Sequence, residues 1–339
     1  MRRGSGTFAG ISTLARALAA LGVEVDLLAP GRRFPIHTVQ RLWFNERLRR
    51  LSLKNCGTIV GFDMDGYRIA GRTGRPHVAS LKGVIADEMR FERGLTRATM
   101  ALQAACEARH VRRADLVITT SRYAASRIRE LYAPVREPVI VPELIDLSGW
   151  GELFRRNPAT PDPDRFRVLS VCRFYPRKRL PVLLRAAAKL RQTIPQLEVR
   201  IVGGGPEARK LRRLARDLQL GGVVQWLGDV SQDELARQYQ QADVFCLPSV
   251  QEGFGIVFLE AMAAGKPIVA ARAAAVPEVV RQGLLVEPDD PDGLAAALDS
   301  LYRDPGLRRS LGEAGRAEVK AYDAPHVAGE FLEVLQKRL

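Results

Sequence analysis

The chain has 339 residues, 46% of them hydrophobic, and a formal net charge of +14 at pH 7. This length allows two domains with full cores, and no apolar run approaches the roughly 18 residues of a membrane-spanning helix. The first residues lack a secretory pattern, and the four cysteines lack paired spacing. We therefore expect a cytoplasmic protein without disulfides or a zinc site.

The first half of the chain alternates strand and helix patterns, which is typical of a parallel sheet covered by helices. The predicted strands are residues 23–28, 58–62, 77–81, 116–120 and 139–142. The predicted helices are residues 11–21, 89–112 and 123–132.

The second half repeats this alternation after a linker rich in proline, aspartate and arginine at residues 157–165. Its predicted strands are residues 168–172, 198–202, 223–227, 244–247, 268–270 and 284–286. Its predicted helices include residues 180–193, 208–218, 232–240 and 256–264. The sequence thus predicts an α/β protein with two Rossmann-like, doubly wound domains facing across a cleft. Ligands bind such sheets at the carboxyl ends of the strands.

Two glutamates bracket a strand-to-helix turn in the second half. Glu252 is followed by Gly253, Phe254 and Gly255, and Glu260 lies eight positions further on, in an apolar run. Glycines let the backbone approach a ligand closely, and a helix start binds phosphate well. Carboxylates accept hydrogen bonds from vicinal hydroxyls. The combination suits a nucleotide-sugar, and the alternative is an ordinary helix with a solvent-facing Glu260.

This segment, with Pro-Ser before it and Gly-Lys-Pro after it, resembles the Glu-x7-Glu motif of retaining glycosyltransferases of family 4. That family has the two-domain GT-B fold. The resemblance implies that Glu252 and the backbone of Gly253, Phe254 and Gly255 contact the donor sugar. It also implies that Glu260 holds the ribose.

Basic residues crowd a loop after the first strand of the second half, and Arg173 and Lys178 are among them. Fixed cations there stabilise the charge that develops on a diphosphate leaving group. The resemblance assigns a catalytic role to Arg173 and Lys178, together with Glu252, and the alternative is a solvated basic loop. It also places Gly204 close to the nucleotide and the backbone near Val230 against the base. Side chains do not reveal whether that base is uracil, guanine or adenine.

The resemblance divides the chain into an acceptor domain, residues 1–156, a donor domain, residues 166–321, and a helix, residues 322–339, that returns to the first domain. The glycine-rich residues 4–10 resemble the loop that follows the family's first strand. That strand is apparently missing, and because it is central in such folds, its two neighbours should be left unpaired. A start codon assigned too far downstream, a differently closed sheet and a flexible tail are the alternatives.

Two residues of the first domain are candidates for donor contacts. Gly10 begins the predicted helix 11–21 and would present backbone N–H groups to the diphosphate. Lys82 stands where many family members have a histidine before a glycine. It either replaces that histidine near the sugar or faces an anionic acceptor.

Asp63-Met64-Asp65 follows a predicted strand, as does the metal-binding Asp-x-Asp of the other large glycosyltransferase fold. We instead expect solvated loop carboxylates and no metal cofactor, because Arg173 and Lys178 already supply positive charge.

Residues 39–54 form a basic amphipathic pattern, which is typical of helices that lie on anionic membranes. The alternative, which we favour, is a helix packed on its own sheet. The apolar stripe and its basic neighbours are Phe44, Leu48, Leu51, Arg47, Arg50 and Lys54, with Trp43 nearby.

We therefore predict a retaining, metal-independent glycosyltransferase that moves a hexosyl group from a UDP- or GDP-linked sugar to a glycan, lipid-linked or small-molecule acceptor. Peripheral contact with the anionic inner face of a membrane stays open. No residue stands out as a general base, which fits the front-face mechanism proposed for this family. A nucleotide-sugar epimerase is the main alternative, but it would need several cleft carboxylates and a histidine. A nucleic-acid-binding protein is the other alternative, and the base-stacking motifs it would need are missing.

Overall fold

The computed structural model describes residues 6–31, 34–53 and 56–339. They form two compact units. The first runs to Leu144 and also includes Ala324–Leu339, and the second is Ile145–Asp323. The division lies about a dozen residues before the linker that the sequence suggested.

The described residues of the first unit form four parallel strands in the order β1-β2-β3-β4, with helices around them. Its elements before the second unit are α1 (Gly6–Ala20), α2 (His37–Arg49), β1 (Ile59–Phe62), β2 (His77–Leu81), α3 (Ile85–Glu88), α4 (Gly94–Arg113), β3 (Leu116–Thr119), α5 (Arg122–Tyr132) and β4 (Val139–Ile140).

The second unit contains six parallel strands in the order β10-β9-β8-β5-β6-β7. Its elements are α6 (Leu147–Arg156), β5 (Phe166–Val171), α7 (Leu180–Leu190), β6 (Leu197–Val202), α8 (Ala208–Asp217), β7 (Val224–Gly228), α9 (Gln232–Gln241), β8 (Val244–Leu247), α10 (Ile256–Ala263), β9 (Ile268–Ala271), α11 (Val276–Val279), β10 (Leu284–Val286), α12 (Pro291–Arg303) and α13 (Pro305–Glu318).

The last helix, α14 (Ala324–Arg338), belongs to the first unit and packs against α1. Leu14 and Leu18 of α1 share a buried cluster with Val327 and Phe331 of α14. Each of the two helices carries its apolar residues on one face. These two faces pack against each other and against the sheet.

The predicted strand at residues 23–28 is wrong, since these residues follow α1 as irregular chain. Val25, Leu27 and Leu28 are exposed, by 37%, 48% and 50%. Alternating apolar residues favour a strand only where a neighbouring strand completes the hydrogen bonds. Within the described ranges no strand pairs with this segment, and β1 forms an edge of the sheet.

The first helix also begins earlier than predicted, at Gly6 instead of Ile11. The glycine-rich segment therefore continues into a helix, and its residues 4 and 5 lie outside the described ranges.

Candidate functional site

Lys178 and Glu252 form an ion pair in the second unit. The Lys178 Nζ lies 2.5 Å from Glu252 Oε1, and the side chains are 12% and 9% exposed. Lys178 comes seven residues after β5 and Glu252 five residues after β8, two adjacent parallel strands. The carboxyl ends of adjacent parallel strands meet at one edge of a sheet, where ligands bind in such folds. Two predicted catalytic residues thus lie together there.

The turn that carries Lys178 is held by backbone geometry. A short 3-10 turn, Pro176–Lys178, leads into Arg179, whose φ of 51° is left-handed and which precedes α7. The Val250 N–H donates to the Arg177 carbonyl at 2.9 Å. This bond ties the loop after β8 to the turn. The backbone therefore holds Lys178 and Glu252 close to each other.

The segment after Glu252 is shaped by Phe254 and Gly255. Phe254 is 4% exposed, and its ring meets Tyr322 edge-to-face at 5.5 Å between centroids. Gly255 has φ of 96°, and a Cβ there would lie 2.6 Å from Cδ2 of Phe258. Glycine is therefore required at the entry to α10. Phe254 anchors the turn by its side chain, which leaves its backbone for any ligand contact.

Glu260 lies on α10 and is partly buried. Its Oε2 accepts a hydrogen bond of 2.8 Å from the Tyr239 hydroxyl. Burial raises the pKa of the Glu260 carboxyl to about 7, and the Tyr239 bond opposes that rise. The carboxyl therefore titrates near neutral pH in the ligand-free protein. Tyr239 was not a predicted site residue, since nothing in the sequence around it indicates a partner 21 positions away.

Two further predicted donor residues, Gly204 and Val230, lie just after β6 and β7. Gly203 has φ of 113°, and a Cβ there would lie 2.1 Å from the Cys172 carbonyl oxygen, whereas Gly204 faces open space. The Phe174 N–H donates to the Gly204 carbonyl at 3.0 Å. Glycine is thus structurally required at position 203, while at Gly204 it leaves the backbone uncovered.

Arg173 lies on the surface. It pairs with Asp229 at 3.2 Å, and the two side chains are 36% and 78% exposed. An ion pair this exposed is weak, so Arg173 is available to a phosphate ligand. Val230, one residue beyond Asp229, is half-buried and packs against the core, and its neighbour Gly228 has φ of 67°.

In the first unit, Lys82 is paired in a way that the sequence did not suggest. Its Nζ lies 3.0 Å from Glu143 Oε2, and the side chains are 7% and 4% exposed. The Lys82 backbone N–H donates to Asp63 Oδ1 at 3.0 Å. Glu143 was not predicted, because its pairing with a lysine 61 positions away leaves no local signal.

Gly10 does not begin α1, contrary to the prediction, since α1 starts at Gly6. The first four N–H groups of an α-helix lack intrahelical acceptors, and the N–H of Gly10 is the fifth. The N–H of Gly10 therefore does not lie at the start of α1.

Asp63 and Asp65 are not solvated loop carboxylates. Asp65 accepts hydrogen bonds from Arg41 at 3.0 Å and from Asn45 at 2.8 Å, and Arg41 lies 3.8 Å from Asp63. Burial raises the pKa of Asp63 to about 6, against the nearby Arg41 charge. Within residues 6–31, 34–53 and 56–339, no cluster of three histidine, cysteine, aspartate or glutamate side chains could hold a metal ion.

In the structure, some apolar side chains of the amphipathic pattern at residues 39–54 are buried and others are exposed. Phe44 and Leu48 of α2 are buried, at 6% and 7% exposure. Leu51 lies beyond α2 and is exposed, and Lys54 lies outside the described residues. A different set of apolar side chains faces outward, namely Ile36, Val39 and Trp43 at 54%, 43% and 36% exposure.

Two parallel sheets with covering helices, one in each unit, define a GT-B type of protein, and solved structures agree with this fold. The sucrose-phosphate synthase of Thermosynechococcus elongatus matches with a TM-score of 0.81 at 23% identity, over 98% of this chain and 93% of that one.

Two family models place the chain more closely. "Glycosyl transferases group 1" matches residues 153–318, and "Glycosyltransferase Family 4" matches residues 5–148. Between them they match most of the sequence. The chain belongs to glycosyltransferase family 4, with the GT-B fold.

Two curated relatives resemble part of the chain. A "GDP-mannose-dependent alpha-(1-6)-phosphatidylinositol monomannoside mannosyltransferase" of Mycolicibacterium smegmatis is 34% identical over 60% of this chain and 57% of its own length. A "D-inositol 3-phosphate glycosyltransferase" of Pseudarthrobacter chlorophenolicus is 36% identical over 59% of this chain and 50% of its own. The chain thus spans little more than half the length of these relatives.

Proposed function

We propose that this protein is a retaining glycosyltransferase that moves a hexosyl group from a nucleoside-diphosphate sugar to an acceptor hydroxyl. The observation that carries the proposal is the Lys178–Glu252 ion pair at the carboxyl edge of the second sheet, beside the turn at Gly255. Membership of family 4 supports it.

In this proposal the donor diphosphate binds between cations that the chain itself supplies. Lys178 offers a point charge and Arg173 a planar fork. Bond breaking adds negative charge to the departing phosphate oxygen, so both cations stabilise the transition state more than the ground state. These side chains replace a metal in the proposal, and no metal cofactor is invoked.

Two carboxyl groups orient the rest of the donor. Glu252 accepts hydrogen bonds from sugar hydroxyls and is fixed for this by Lys178. Glu260 accepts hydrogen bonds from the ribose hydroxyls in its carboxylate form, and burial raises the pKa of this carboxyl to about 7 in the ligand-free protein. In the front-face reaction, the acceptor hydroxyl attacks the face that the phosphate leaves, and the phosphate oxygen takes its proton. The protein contributes positioning and charge.

We propose a GDP- or UDP-linked donor, and GDP-mannose is the first choice because a relative's name contains it. For the acceptor, both relatives' names contain an inositol that carries phosphate, in one case as a lipid. We therefore propose an inositol-phosphate acceptor, free or lipid-linked, in preference to a glycan. A protein acting on a lipid-linked acceptor would work in the cytoplasm at the inner membrane face.

Contact with that membrane would be peripheral. Across the described chain no helix has the length and hydropathy to cross a bilayer. The outward set of Ile36, Val39 and Trp43 on and before α2, next to exposed Arg47 and Arg50, suits an anionic lipid surface.

The test is transfer by the purified full chain, with GDP-mannose or UDP-hexoses as donors and inositol 3-phosphate or phosphatidylinositol as acceptors. We expect product with the donor's anomeric configuration, read by NMR, and the same rate in EDTA. Glu260→Ala should mainly weaken nucleotide binding, and Glu252→Ala should mainly lower transfer. Donor binding and turnover that are unchanged in both variants would refute the site, and epimerised donor without transfer would favour the epimerase.

A further inference from the structure

The helix α8 carries four arginines on a single face. Arg209, Arg212, Arg213 and Arg216 follow the spacing i, i+3, i+4 and i+7, which places them side by side along the helix. All four are exposed. The stripe spans about 10 Å at 1.5 Å per residue. We call these four residues the arginine stripe.

The opposite face of α8 is anchored in the core of the second unit. Leu211 and Ala215 are 2% and 6% exposed, and Leu214 packs against the same cluster. This packing fixes the rotation of the helix, so the four guanidinium groups must point away from the core. The helix cannot turn to bury its charges or to insert an apolar face elsewhere.

The arginine stripe is not neutralised by carboxylates. In the part of the chain that the structure describes, none of its four arginines forms an ion pair, although Lys210 on the same helix pairs with Glu207. Some arginines on other helices have carboxylate partners, namely Arg129 with Glu137, Arg156 with Asp233, Arg237 with Glu234 and Arg303 with Asp299. Others, such as Arg97, Arg185 and Arg309, are exposed and form no ion pair within the described residues. Neighbouring like charges destabilise a helix, and the stripe differs from the other unpaired arginines because its four members lie next to one another on one helix face.

One member of the stripe is held by an aromatic ring. The Arg212 guanidinium lies 5.8 Å from the centroid of the Trp226 ring. Trp226 in turn meets Phe174 edge-to-face at 5.8 Å. Trp226 thus contacts both a guanidinium group of the stripe and a buried phenyl ring.

We propose that the arginine stripe binds the surface of a bilayer that contains anionic lipids. A fixed row of cations without apolar side chains among them matches a plane of phosphate groups, which it contacts without insertion. The α8 sequence has no asparagine or glutamine for reading adenine edges, and its arginines follow a single straight row. The choice of a lipid surface rests on the proposed lipid-linked acceptor. The arginine stripe is a feature of the structure and does not depend on that proposal.

The contact would hold the donor-binding unit near the membrane. The stripe begins two residues after Glu207, whose N–H donates to the Phe174 carbonyl beside the Gly203–Gly205 turn. A bilayer bound at α8 would therefore lie next to the loops proposed to hold the nucleotide.

The test is co-sedimentation of the full chain with phosphatidylcholine vesicles, with and without phosphatidylglycerol, in the absence of donor and acceptor. The stripe variant carries Arg209→Gln, Arg212→Gln, Arg213→Gln and Arg216→Gln. The matched control carries Arg129→Gln, Arg156→Gln, Arg237→Gln and Arg303→Gln, which removes the same charge from paired positions. Thermal melting of both variants shows whether they are folded.

We expect salt-sensitive binding to the anionic vesicles only. Each basic residue near an anionic surface contributes about fivefold in binding, so the stripe variant should lose roughly a hundredfold or more and the control much less. Equal losses in the two variants, no vesicle binding by the unaltered protein, or tighter binding to duplex DNA than to vesicles would each overturn the proposal. Because no transfer is measured, an inactive transferase with this binding would refute only the proposed function.

Discussion

Both units bury a lysine–glutamate ion pair beyond the carboxyl ends of parallel strands. In the first unit Lys82 and Glu143 are 3.0 Å apart and 7% and 4% exposed. In the second, Lys178 and Glu252 are 2.5 Å apart and 12% and 9% exposed. By distance and burial the two pairs are nearly alike.

Their surroundings differ. Lys82 has its backbone bound by Asp63 and its ammonium 5.8 Å from the Phe62 ring centroid. The second pair lies next to the left-handed turn at Gly255 and the start of α10, in a segment that also carries Glu260. A buried ion pair alone is weak evidence of either stability or catalysis. The backbone and charges around it decide which role it has.

The largest expected effect is on stability, and it concerns the Lys82–Glu143 pair of the first unit. Glu143→Gln would leave the Lys82 ammonium buried without a countercharge and should destabilise the first unit by about 3–5 kcal/mol. The double variant Lys82→Met/Glu143→Leu removes both charges and should recover most of that loss. Urea unfolding of the full chain measures both.

The same variants test whether Lys82 takes part in donor binding. If it does, the double variant should regain stability but bind nucleotide more weakly. A Glu143→Gln loss below about 1 kcal/mol would mean that the ammonium is hydrated in solution and that the pair is not buried.

The second pair should be sensitive in catalysis. Lys178→Met and Glu252→Gln should each lower kcat by about 10²–10³-fold, the usual loss for one preorganised charge at a transition state. Lys189→Met is the matched control, since Lys189 pairs with Asp292 on an exposed surface of the same unit. A large loss in the control, or none in the pair, would contradict the assignment.

Glu260 should give the second unit a pH-dependent stability. Its folded pKa of about 7 is above the ordinary value of 4.5, so the folded protein holds a proton that the unfolded chain releases between these values. Stability from this group is full below pH 4.5 and falls as pH rises to about 7, by up to roughly 3 kcal/mol.

Glu260→Gln removes that slope and keeps an acceptor for the Tyr239 hydroxyl. We expect the variant to melt higher than the unaltered protein at pH 8 and to differ little at pH 4.5. Glu313→Gln, at an exposed site on α13, is the control and should follow the unaltered protein. If the melting temperatures of all three proteins changed with pH in the same way between pH 4.5 and 8, the raised pKa of Glu260 would be contradicted.

The smallest expected effect concerns the turn. Gly255→Ala introduces a left-handed alanine and a Cβ 2.6 Å from the Phe258 ring, which should cost about 1–3 kcal/mol and weaken donor binding. At Gly204 an added Cβ meets nothing within 4 Å, so Gly204→Ala should leave the melting temperature unchanged. Equal melting temperatures for the two alanine variants would show that the turn tolerates a Cβ at position 255.

Much of the fold could be predicted because strands in a parallel sheet are buried on both faces and are read as continuous apolar runs. Residues 77–81, 244–247 and 284–286 were predicted with the bounds that β2, β8 and β10 have. The segment 23–28 has an alternating apolar pattern, which also predicts a strand, but no neighbouring strand within the described chain. A strand depends on its partner, and local sequence does not contain that information.

The candidate site shows the same division. The glycine pattern and the Glu252–Glu260 spacing, within one short segment, were sufficient to indicate the turn and helix that carry both carboxyl groups. That Lys178 lies against Glu252, 74 positions away, and Tyr239 against Glu260 emerged only from the tertiary structure.

The amino-acid sequence alone determined the alternation of strands and helices, the family and the segment proposed to grip the donor, since these depend on neighbours within a few turns of chain. Only the tertiary structure decided that Lys82 is paired with Glu143, that Gly10 lies inside a helix, and that the four arginines of α8 form no ion pair with any described residue. Pairing, burial and uncompensated charge depend on residues brought together across long stretches of chain, and no local pattern records them.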